Sequence, residues 1–324
     1  MVLALHTDTD QDTFPTFCFG AGVFSGAYSP VVEAESHAAV RRALDRGVQL
    51  FDTSPYYGES ERVLGDALRH AANAYPRQTY RISTKIGRYG LLRRDFDYSA
   101  ERVRASVAES LRRLGTDYLD IVFCHDVEFV DEEMVLDQAL PALFELKDKG
   151  VIRMVGISGY PLEVLLRIAE AQAARGRPLD ILLSYCHYTL QNTRLAEYTP
   201  RFRAAGIRRL LNASPLSMGL LRDADAPAWH PVGAQMREVV AECARLCRER
   251  GRHLADLALQ YAMAYTGADA IVVGCSTPKE VDCALAQFRA TRHTSDVDQE
   301  LLETVLAVLA PYRDYSWPSP PADA

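Results

Sequence analysis

The hydrophobic positions of this chain follow two alternating patterns, one typical of helices and the other of buried strands. Four stretches carry apolar residues at intervals of three and four, which predicts amphipathic helices over 33–46, 99–114, 132–149 and 191–205. Each stretch ends at a glycine, the usual signal for a helix to stop. A short apolar run follows each glycine and predicts strands over 48–51, 118–124, 151–157 and 207–211.

Four further apolar runs complete a set of eight predicted strands, at 17–20, 80–84, 181–185 and 270–273. Repeated strand–helix units favour a parallel sheet, and eight units in this length favour an α/β fold, a (β/α)8 TIM barrel formed as a single domain. No Gly-x-Gly-x-x-Gly follows the first strand, which argues against a doubly wound nucleotide-binding sheet.

The predicted barrel spans residues 15–312, after a short N-terminal tail over 1–14. A loop rich in proline and aspartate, 222–231, is expected near the barrel mouth, and a last helix is predicted over 296–312. Residues 313–324 form a proline-rich C-terminal tail that is expected to be mobile.

Composition and charge limit the classes of partner. The chain has 324 residues, and 48% of them are hydrophobic, which is sufficient for one large core. The net charge is −7 without any basic run, which argues against nucleic acid or an acidic membrane as the main partner. No apolar stretch approaches the roughly 18 residues of a membrane span, and the N-terminus lacks signal-peptide features. We therefore expect a cytoplasmic protein, monomeric by default, that acts on a small molecule.

Seven cysteines are present, an odd number, and none belongs to a Cys-x-x-Cys motif. Four of them, at 18, 124, 186 and 275, lie in apolar strand-like runs, which favours buried free thiols in a reducing compartment. Cys243 and Cys247 have helical spacing but no second pair of ligands, so no metal site is expected.

The residues at the carboxyl ends of the predicted strands are mostly polar. In a barrel these ends meet at one mouth, where active sites are built. Asp52, Lys85 and His125 follow the second, third and fourth strands, and Tyr57 lies in the loop after Asp52. The other strand ends carry Gly22, Ser158, Gly159, Ser184, Tyr185, Ser214, Pro215, Cys275 and Ser276.

Asp52, Tyr57, Lys85 and His125 together have the chemistry of a proton-transfer site. A tyrosine phenol has a pKa of about 10, and a nearby ammonium group such as that of Lys85 lowers this pKa by stabilising the phenolate. Asp52 would hold the lysine charged, and His125 would orient a substrate oxygen or relay a proton. Taken singly, each has an ordinary alternative role as a cap, a packing residue or a solvated side chain. Redox chemistry at this site would require a nicotinamide to carry the hydride.

The loop over 52–61 resembles the aldo-keto reductase pattern Asp-Thr-x-x-x-Tyr-Gly-x-Ser-Glu. Two other segments, 114–120 and 156–158, are similar to further motifs of that family, so the resemblance covers nearly the whole chain. It implies an NAD(P)-dependent oxidoreductase in which Tyr57 is the general acid or base. Asp52, Lys85 and His125 would support it.

Three segments, 123–129, 183–188 and 213–221, resemble the branch that contains L-galactose dehydrogenase and the fungal D-arabinose dehydrogenases. This resemblance implies oxidation of the anomeric carbon of a free aldose to an aldonolactone, with Tyr57 as base. Ala213 replaces a tyrosine that the wider family often stacks on the nicotinamide, which agrees with the narrower branch. Two alternatives stay open: an NADPH-dependent aldehyde or ketone reductase, and a non-catalytic nicotinamide-binding subunit that regulates a partner.

The resemblance also implies cofactor contacts. Glu280 stands where NADP-preferring relatives have a basic residue and would repel a 2′-phosphate, which favours NAD over NADP. Its alternative role is in a capping box over 277–280, where Lys279 could still meet a phosphate. Gly159 replaces an asparagine that often grips the carboxamide, and Cys283 replaces a glutamate of the adenine site. The predicted cofactor-binding residues are Gly22, Val23, Asp52, Ser158, Gly159, Ser184, Ser214, Leu216, Met218, Gly219, Gly274, Ser276, Thr277, Lys279, Glu280 and Cys283.

A sugar requires fixed hydrogen-bond partners and an aromatic wall. The predicted substrate contacts are Phe24, Tyr57, His125, Asp126, Tyr188 and Trp229. Glu128 is a further candidate, although it and Asp126 have the alternative role of capping the next helix. Phe24 has the alternative role of packing in the core.

Overall fold

The predicted alternation of strands and helices closes into a barrel in the computed structural model of the chain, which describes residues 14–28, 30–293 and 298–319. Eight parallel strands pair in sequence order within these residues, and the eighth pairs with the first to complete the ring. The strands are β1 (Phe17–Gly20), β2 (Leu50–Asp52), β3 (Arg81–Ile86), β4 (Leu119–His125), β5 (Ile152–Gly159), β6 (Ile181–Tyr185), β7 (Arg209–Ala213) and β8 (Ala270–Gly274). The predicted single-domain (β/α)8 barrel is confirmed.

The helices surround this ring. They are α1 (Glu33–Asp45), α2 (Ser60–Ala71), α3 (Ala100–Leu114), α4 (Glu132–Met134), α5 (Leu140–Asp148), α6 (Leu162–Ala174), α7 (Leu195–Ala204), α8 (Ala234–Glu249), α9 (Leu254–Met263), α10 (Pro278–His293) and α11 (Gln299–Leu309). A π-helical turn, Val135–Ala139, joins α4 to α5 and makes them one continuous helix. The predicted helix over 132–149 is therefore interrupted only by this change of pitch.

Three predicted boundaries are displaced by one to four residues. Strand β2 starts at Leu50 because the N–H of Val48 still bonds to α1, at the carbonyl of Ala43. Strand β7 lies two residues further along than predicted, since the N–H of Arg209 first bonds to the carbonyl of Asp180. Helix α7 starts at Leu195 instead of residue 191, and residues 296–297 of the predicted last helix lie outside the described residues.

Side chains inside the barrel form their own apolar layer. Phe14, the last residue of the predicted N-terminal tail, is buried with this layer, and the guanidinium groups of Arg81 and Arg209 lie 5.2 and 5.1 Å from its ring centre. The rest of the layer consists of Cys18, Leu50, Ile121, Phe123, Ile181, Leu183, Leu211, Ala213, Ala270 and Val272. The layer fills the interior of the ring, and polar side chains collect at its carboxyl-terminal mouth.

Three aspartates secure neighbouring strands at the amino-terminal face. Asp120 accepts from the backbone N–H of Ile82 at 2.9 Å and from Arg77 at 2.7 Å. Asp180 and Asp269 do the same with the N–H groups of Val155 and Leu210, and each also pairs with two basic side chains. The aspartate that ends the 114–120 motif therefore has a structural role, far from the mouth.

The C-terminal segment is docked over residues 313–319, which corrects the expectation of a mobile tail for this described part. Trp317 is 7% exposed and stacks on Tyr160 with ring centres 4.9 Å apart. Gln191 donates to the carbonyl oxygens of Tyr312 and Tyr315 at 2.7 and 2.9 Å. These contacts use residue 191 and its neighbours, which explains why α7 begins later than predicted.

Candidate active site

Asp52, Tyr57, Lys85 and His125 lie together at the carboxyl ends of β2, β3 and β4. The ammonium nitrogen of Lys85 donates to Asp52 Oδ2 at 2.6 Å and to the carbonyl of Thr53 at 2.8 Å. It lies 4.8 Å from the ring centre of Tyr57, whose ring meets the His125 imidazole edge-on at 5.6 Å. The four side chains therefore lie together at the mouth, as their positions at the strand ends predicted.

The loop between β2 and α2 is tied down on both sides of Tyr57. Ser60 donates to the carbonyl of Ala21 at 2.7 Å, and its oxygen lies 2.8 Å from Thr53 Oγ1. A Cβ atom added to Gly22 would lie 3.4 Å from the Tyr57 ring, so the second residue after β1 packs closely against the phenol. The serine of the 52–61 motif thus positions the tyrosine without facing the mouth.

His125 is held by three partners. Ser54 Oγ lies 3.0 Å from its Nδ1, and the Tyr98 hydroxyl donates to its carbonyl oxygen. Its Nε2 lies 3.5 Å from Asp126 Oδ2. Burial, with the charges of Lys85 and Arg88, lowers the pKa of His125 well below its usual value. The ring is therefore neutral at pH 7 and carries a single N–H.

The net effect on Tyr57 is opposite to the predicted one. Burial raises the pKa of Tyr57 above its usual value, and the lowering effect of the Lys85 charge is smaller than that of burial. The lysine acts in the predicted direction, yet desolvation of the phenolate outweighs it. For Lys85 itself, burial lowers the pKa, but the Asp52 carboxylate and the Tyr57 phenol outweigh burial and raise it. The lysine is therefore charged, and the phenol is protonated at neutral pH.

Sequence reasoning missed several residues that complete this cluster. Arg88, just after β3, forms an ion pair with Asp126 at 2.5 Å and donates to the Tyr56 hydroxyl at 2.9 Å. Ser83 donates to Asp52 Oδ1 at 2.8 Å and leaves Oδ2 to the lysine. A basic residue following Gly87 at a strand end was a signal for Arg88, whereas Ser54 and Ser83 had no signal of their own.

Most predicted cofactor residues line the mouth from the β1, β7 and β8 sides. Gly22, Val23, Ser214 and Met218 are partly exposed there, and Gly274 is exposed at the end of its strand. A Cβ on Gly274 would come within 2.7 Å of Val23, so only glycine leaves this backbone open to a ligand. Ser276, Thr277 and Lys279 lie at the start of α10, while Leu216 and Gly219 lie in the loop after β7.

The loop after β7 has an unusual backbone. Ser214, Ser217 and Met218 all have positive φ values between 49° and 58°, and Gly219 follows with 85°. Positive φ is uncommon for residues other than glycine, and such conformations cluster at ligand sites. The hydroxyl of Ser214 accepts from the N–H of Met218 at 2.8 Å and stabilises the turn.

Three other predicted cofactor residues are buried. Ser158 donates to the carbonyl of Cys124 at 3.3 Å, and Ser184 Oγ lies 3.3 Å from His187 Nδ1. A Cβ on Gly159 would lie 2.6 Å from Glu128 Oε2. The missing side chain at residue 159 is therefore explained by the Glu128 carboxyl group, which occupies that space.

The capping role of Glu280 is observed. Its Oε2 accepts from the N–H of Ser276 at 2.6 Å, and its own N–H donates to Thr277 Oγ1 at 3.2 Å. The carboxylate thus lies at the amino-terminal end of α10, where it adds negative charge. Cys283, one turn further along the helix, is the exposed cysteine of the seven.

Two predicted substrate contacts, Phe24 and Tyr188, pack away from the cluster around Tyr57, and their contact with a substrate stays a prediction. Phe24 is 2% exposed and packs against Phe19 at 5.9 Å, because its apolar ring turns into the core. Tyr188 stacks on Tyr265 with ring centres 3.9 Å apart, on the outer side of the barrel. Trp229 lies at the rim, 47% exposed, and donates to the carbonyl of Ala27 at 2.9 Å.

Glu128 is enclosed beneath the C-terminal segment. Its Oε1 accepts from the N–H of Tyr160 at 3.1 Å and from Ser319 at 3.0 Å, while Oε2 has no partner among the described residues. Burial and the nearby Asp126 charge raise the pKa of Glu128 to about 8. It is therefore protonated at neutral pH, unlike a surface glutamate.

The free energy of unfolding should depend on pH through the proton bound to Glu128. With a folded pKa of about 8 against an ordinary 4.5, Glu128 contributes stability that is full below pH 4.5 and is lost as pH rises through about 8. We expect the free energy of unfolding to fall by up to about 1.4 kcal/mol per pH unit between pH 6.5 and 8. The buried histidines do not interfere, since their lowered pKa values matter below this window.

Urea unfolding at several pH values tests this expectation. Glu128→Gln should flatten the dependence, and Glu133→Gln, an exposed site in the same segment, serves as the control for loss of one charge. The same slope in Glu128→Gln and in the unsubstituted protein would contradict it.

Other predicted features concern the whole chain. Cys18, Cys124, Cys186 and Cys275 are buried free thiols, as predicted, and burial raises the pKa of each. Over the residues that the structure describes, no group of histidine, cysteine and acidic side chains has the arrangement of a metal site. No helix in the same residues is long and apolar enough to span a membrane.

The fold and the site define a class. A closed (β/α)8 barrel carries a buried lysine–aspartate pair, a tyrosine and a neutral histidine at its carboxyl-terminal mouth. Partly exposed glycines and the start of α10 face the same mouth and fit an extended dinucleotide with phosphate groups. This is the arrangement of a nicotinamide-dependent oxidoreductase built on a barrel.

The chain belongs to the aldo/keto reductase family, whose sequence model matches residues 16–301. It is 38% identical to L-galactose dehydrogenase from Arabidopsis thaliana over 303 residues, which cover 93% of this chain and 92% of the relative. It is 40% identical to D-arabinose 1-dehydrogenase from Saccharomyces cerevisiae over 275 residues, covering 82% and 81%. A third relative, D-threo-aldose 1-dehydrogenase from a Pseudomonas species, is 28% identical over 320 residues, covering 90% and 94%. The family and the branch predicted from the motifs are confirmed.

Proposed function

We propose that this protein oxidises the anomeric carbon of a free aldose to an aldonolactone, with NAD as the preferred cofactor. The observation that carries the proposal is that the Tyr57 ring lies beside the buried Lys85–Asp52 pair. The names of the relatives, L-galactose dehydrogenase and D-arabinose 1-dehydrogenase, support it. L-Galactose and D-arabinose have the same configuration at C2, C3 and C4. We therefore expect a substrate with that configuration.

In this mechanism Tyr57 exchanges the proton of the anomeric hydroxyl. The phenol is protonated at neutral pH and only its phenolate can accept a proton, so the charged Lys85 favours the oxidation by stabilising the phenolate. His125 is neutral and held by Ser54, which suits a group that orients the substrate oxygen. A bound nicotinamide would supply the acceptor for the hydride that leaves C1.

The cofactor would be held by the partly exposed residues around the mouth. Gly22, Val23 and Gly274 leave open backbone, and Ser214, Leu216, Met218 and Gly219 form the facing loop. The start of α10, with Ser276, Thr277 and Lys279, suits phosphate groups because the positive end of the helix dipole lies there. Ser158, Gly159, Ser184 and Cys283 remain predicted contacts.

Reduced-nicotinamide absorbance with purified protein tests the activity. We expect turnover of L-galactose, D-arabinose or L-fucose with NAD. Turnover of a simple aldehyde with NADPH, in the absence of any reaction with these sugars, would favour a carbonyl reductase. Cofactor binding without turnover of any sugar or aldehyde would favour a regulatory subunit.

Cofactor preference should respond to Glu280. Lysine at this position replaces a negative charge at the start of α10 with a positive one, so the ratio of kcat/KM for NADP to that for NAD should rise about tenfold or more. Glu280→Gln is the matched control, because it keeps an acceptor for the N–H of Ser276 and removes only the charge. An unchanged ratio in Glu280→Lys would show that this carboxylate does not select the cofactor.

A further inference from the structure

Arg88 and Asp126 form a buried ion pair that the proton-transfer mechanism leaves unused. Nη1 of the guanidinium lies 2.5 Å from Asp126 Oδ2, and the two side chains are 14% and 4% exposed. The same oxygen lies 3.5 Å from Nε2 of His125. The ion pair is therefore adjacent to His125, the residue proposed to orient the anomeric oxygen.

Aromatic rings fix the guanidinium in place. It lies 3.7 Å from the ring centre of Tyr56, to whose hydroxyl it donates at 2.9 Å. Phe96 and Phe129, which stack on each other, lie 5.3 and 5.4 Å from it. With one further bond from Nε to the carbonyl of Gly90 at 3.3 Å, three of the five N–H groups of Arg88 have partners among the described residues.

A buried ion pair such as this one adds little net stability to a fold. Removing two charges from water carries a large desolvation penalty, and apolar residues of similar size often stabilise a protein equally well. Asp126 also adopts a left-handed backbone with φ of 51°, which is uncommon for residues other than glycine. Tyr185, at the end of β6, and Glu128 are close enough to interact electrostatically with Asp126. Strands β2, β3, β4 and β6 thus place polar groups around one point beside His125.

We propose that Arg88 and Asp126 form the subsite that reads the hydroxyl groups at C2 and C3 of the aldose, an inference that rests on the proposed function. The carboxylate accepts from one hydroxyl, and the guanidinium donates to the next. An acceptor and a donor fixed side by side match two neighbouring hydroxyls of one relative configuration, as in L-galactose and D-arabinose. A simple aldehyde lacks these hydroxyl groups and therefore forms no hydrogen bonds with the pair.

Substrates that differ from D-arabinose at one carbon test the subsite. 2-Deoxy-D-ribose lacks the C2 hydroxyl, D-ribose is the C2 epimer and D-lyxose is the C3 epimer. A site built to bond a hydroxyl rejects an analogue without it by up to about 10⁴-fold. We expect kcat/KM for D-arabinose to exceed that for each analogue by about 10²-fold in the unsubstituted protein.

Arg88→Met should lower this ratio at least tenfold, mainly through a higher KM for D-arabinose, while fluorescence titration shows NADH binding unchanged. Arg77→Met is the matched control, because Arg77 forms a similar buried pair with Asp120 at 2.7 Å on the opposite face of the barrel. It should lower stability and leave the ratio intact. Asp126→Asn keeps the shape of the side chain and replaces Arg88→Met as the test if that variant does not fold.

Two outcomes would overturn the proposal in different ways. If Arg88→Met and Asp126→Asn lower kcat/KM equally for D-arabinose and its analogues, the pair only positions His125, and the proposed function stands. If the unsubstituted protein oxidises no aldose, the proposed function fails and the subsite fails with it.

Discussion

Replacing Tyr57 with phenylalanine should lower kcat by about 10²–10⁴-fold, the usual contribution of a general acid or base. The ring, which packs on Gly22 and meets His125 at 5.6 Å, is retained, so the fold and cofactor affinity should be unchanged. Only the hydroxyl that exchanges the proton of the substrate is lost. Steady-state oxidation of the best aldose, with NADH binding and thermal unfolding measured in parallel, checks this result.

Tyr56→Phe is the matched control for this substitution. It removes a phenol from the adjacent residue of the same loop, where the hydroxyl accepts from Arg88 instead of facing Lys85. We expect a loss in kcat of less than about tenfold for this variant. Equal losses in the two variants would mean that the loop tolerates no change, and Tyr57 would have no special role.

Replacing Lys85 with methionine should lower the free energy of unfolding by about 3–5 kcal/mol, since it leaves the buried Asp52 carboxylate without its counter-charge. The lysine is 2% exposed and bonds to Asp52 at 2.6 Å, so water cannot take its place without rearrangement. Catalysis should be lost as well, because nothing then stabilises the phenolate of Tyr57. Urea unfolding and steady-state kinetics measure the two effects separately.

The double variant Lys85→Met/Asp52→Asn separates stability from chemistry. Removing both charges should recover part of the lost stability, because no uncompensated charge stays buried, while activity stays absent. Lys149→Met is the surface control: Lys149 pairs with Glu145 at 2.5 Å but is 60% exposed, and its loss should leave the free energy of unfolding nearly unchanged. A Lys85→Met variant as stable as the unsubstituted protein would contradict this account of the pair.

The strand-end residues could be predicted because they depend on neighbours in sequence. Asp52, Lys85 and His125 each follow an apolar run directly, and parallel strands in a closed barrel bring those ends to one mouth whatever the details of packing. The glycines that end the helices before β4 and β5 could be predicted for the same reason, because each depends only on its neighbours in sequence. The fold and the central cluster therefore followed from pattern alone.

Tertiary contacts determined the rest. The Arg88–Asp126 pair joins residues 38 positions apart, and Ser319 meets Glu128 from 191 positions away, which no local pattern records. Phe24 could line the mouth or fill the core, and only the packing around Phe19 selects the core. The net pKa shift of Tyr57 is likewise a balance between burial and the charge of Lys85. From the sequence alone we could predict that Asp52, Lys85 and His125 meet at the mouth, because each directly follows an apolar run that forms a strand. The structure alone decided how they are paired, buried and protonated, because desolvation and ion pairing depend on every element packed around a group.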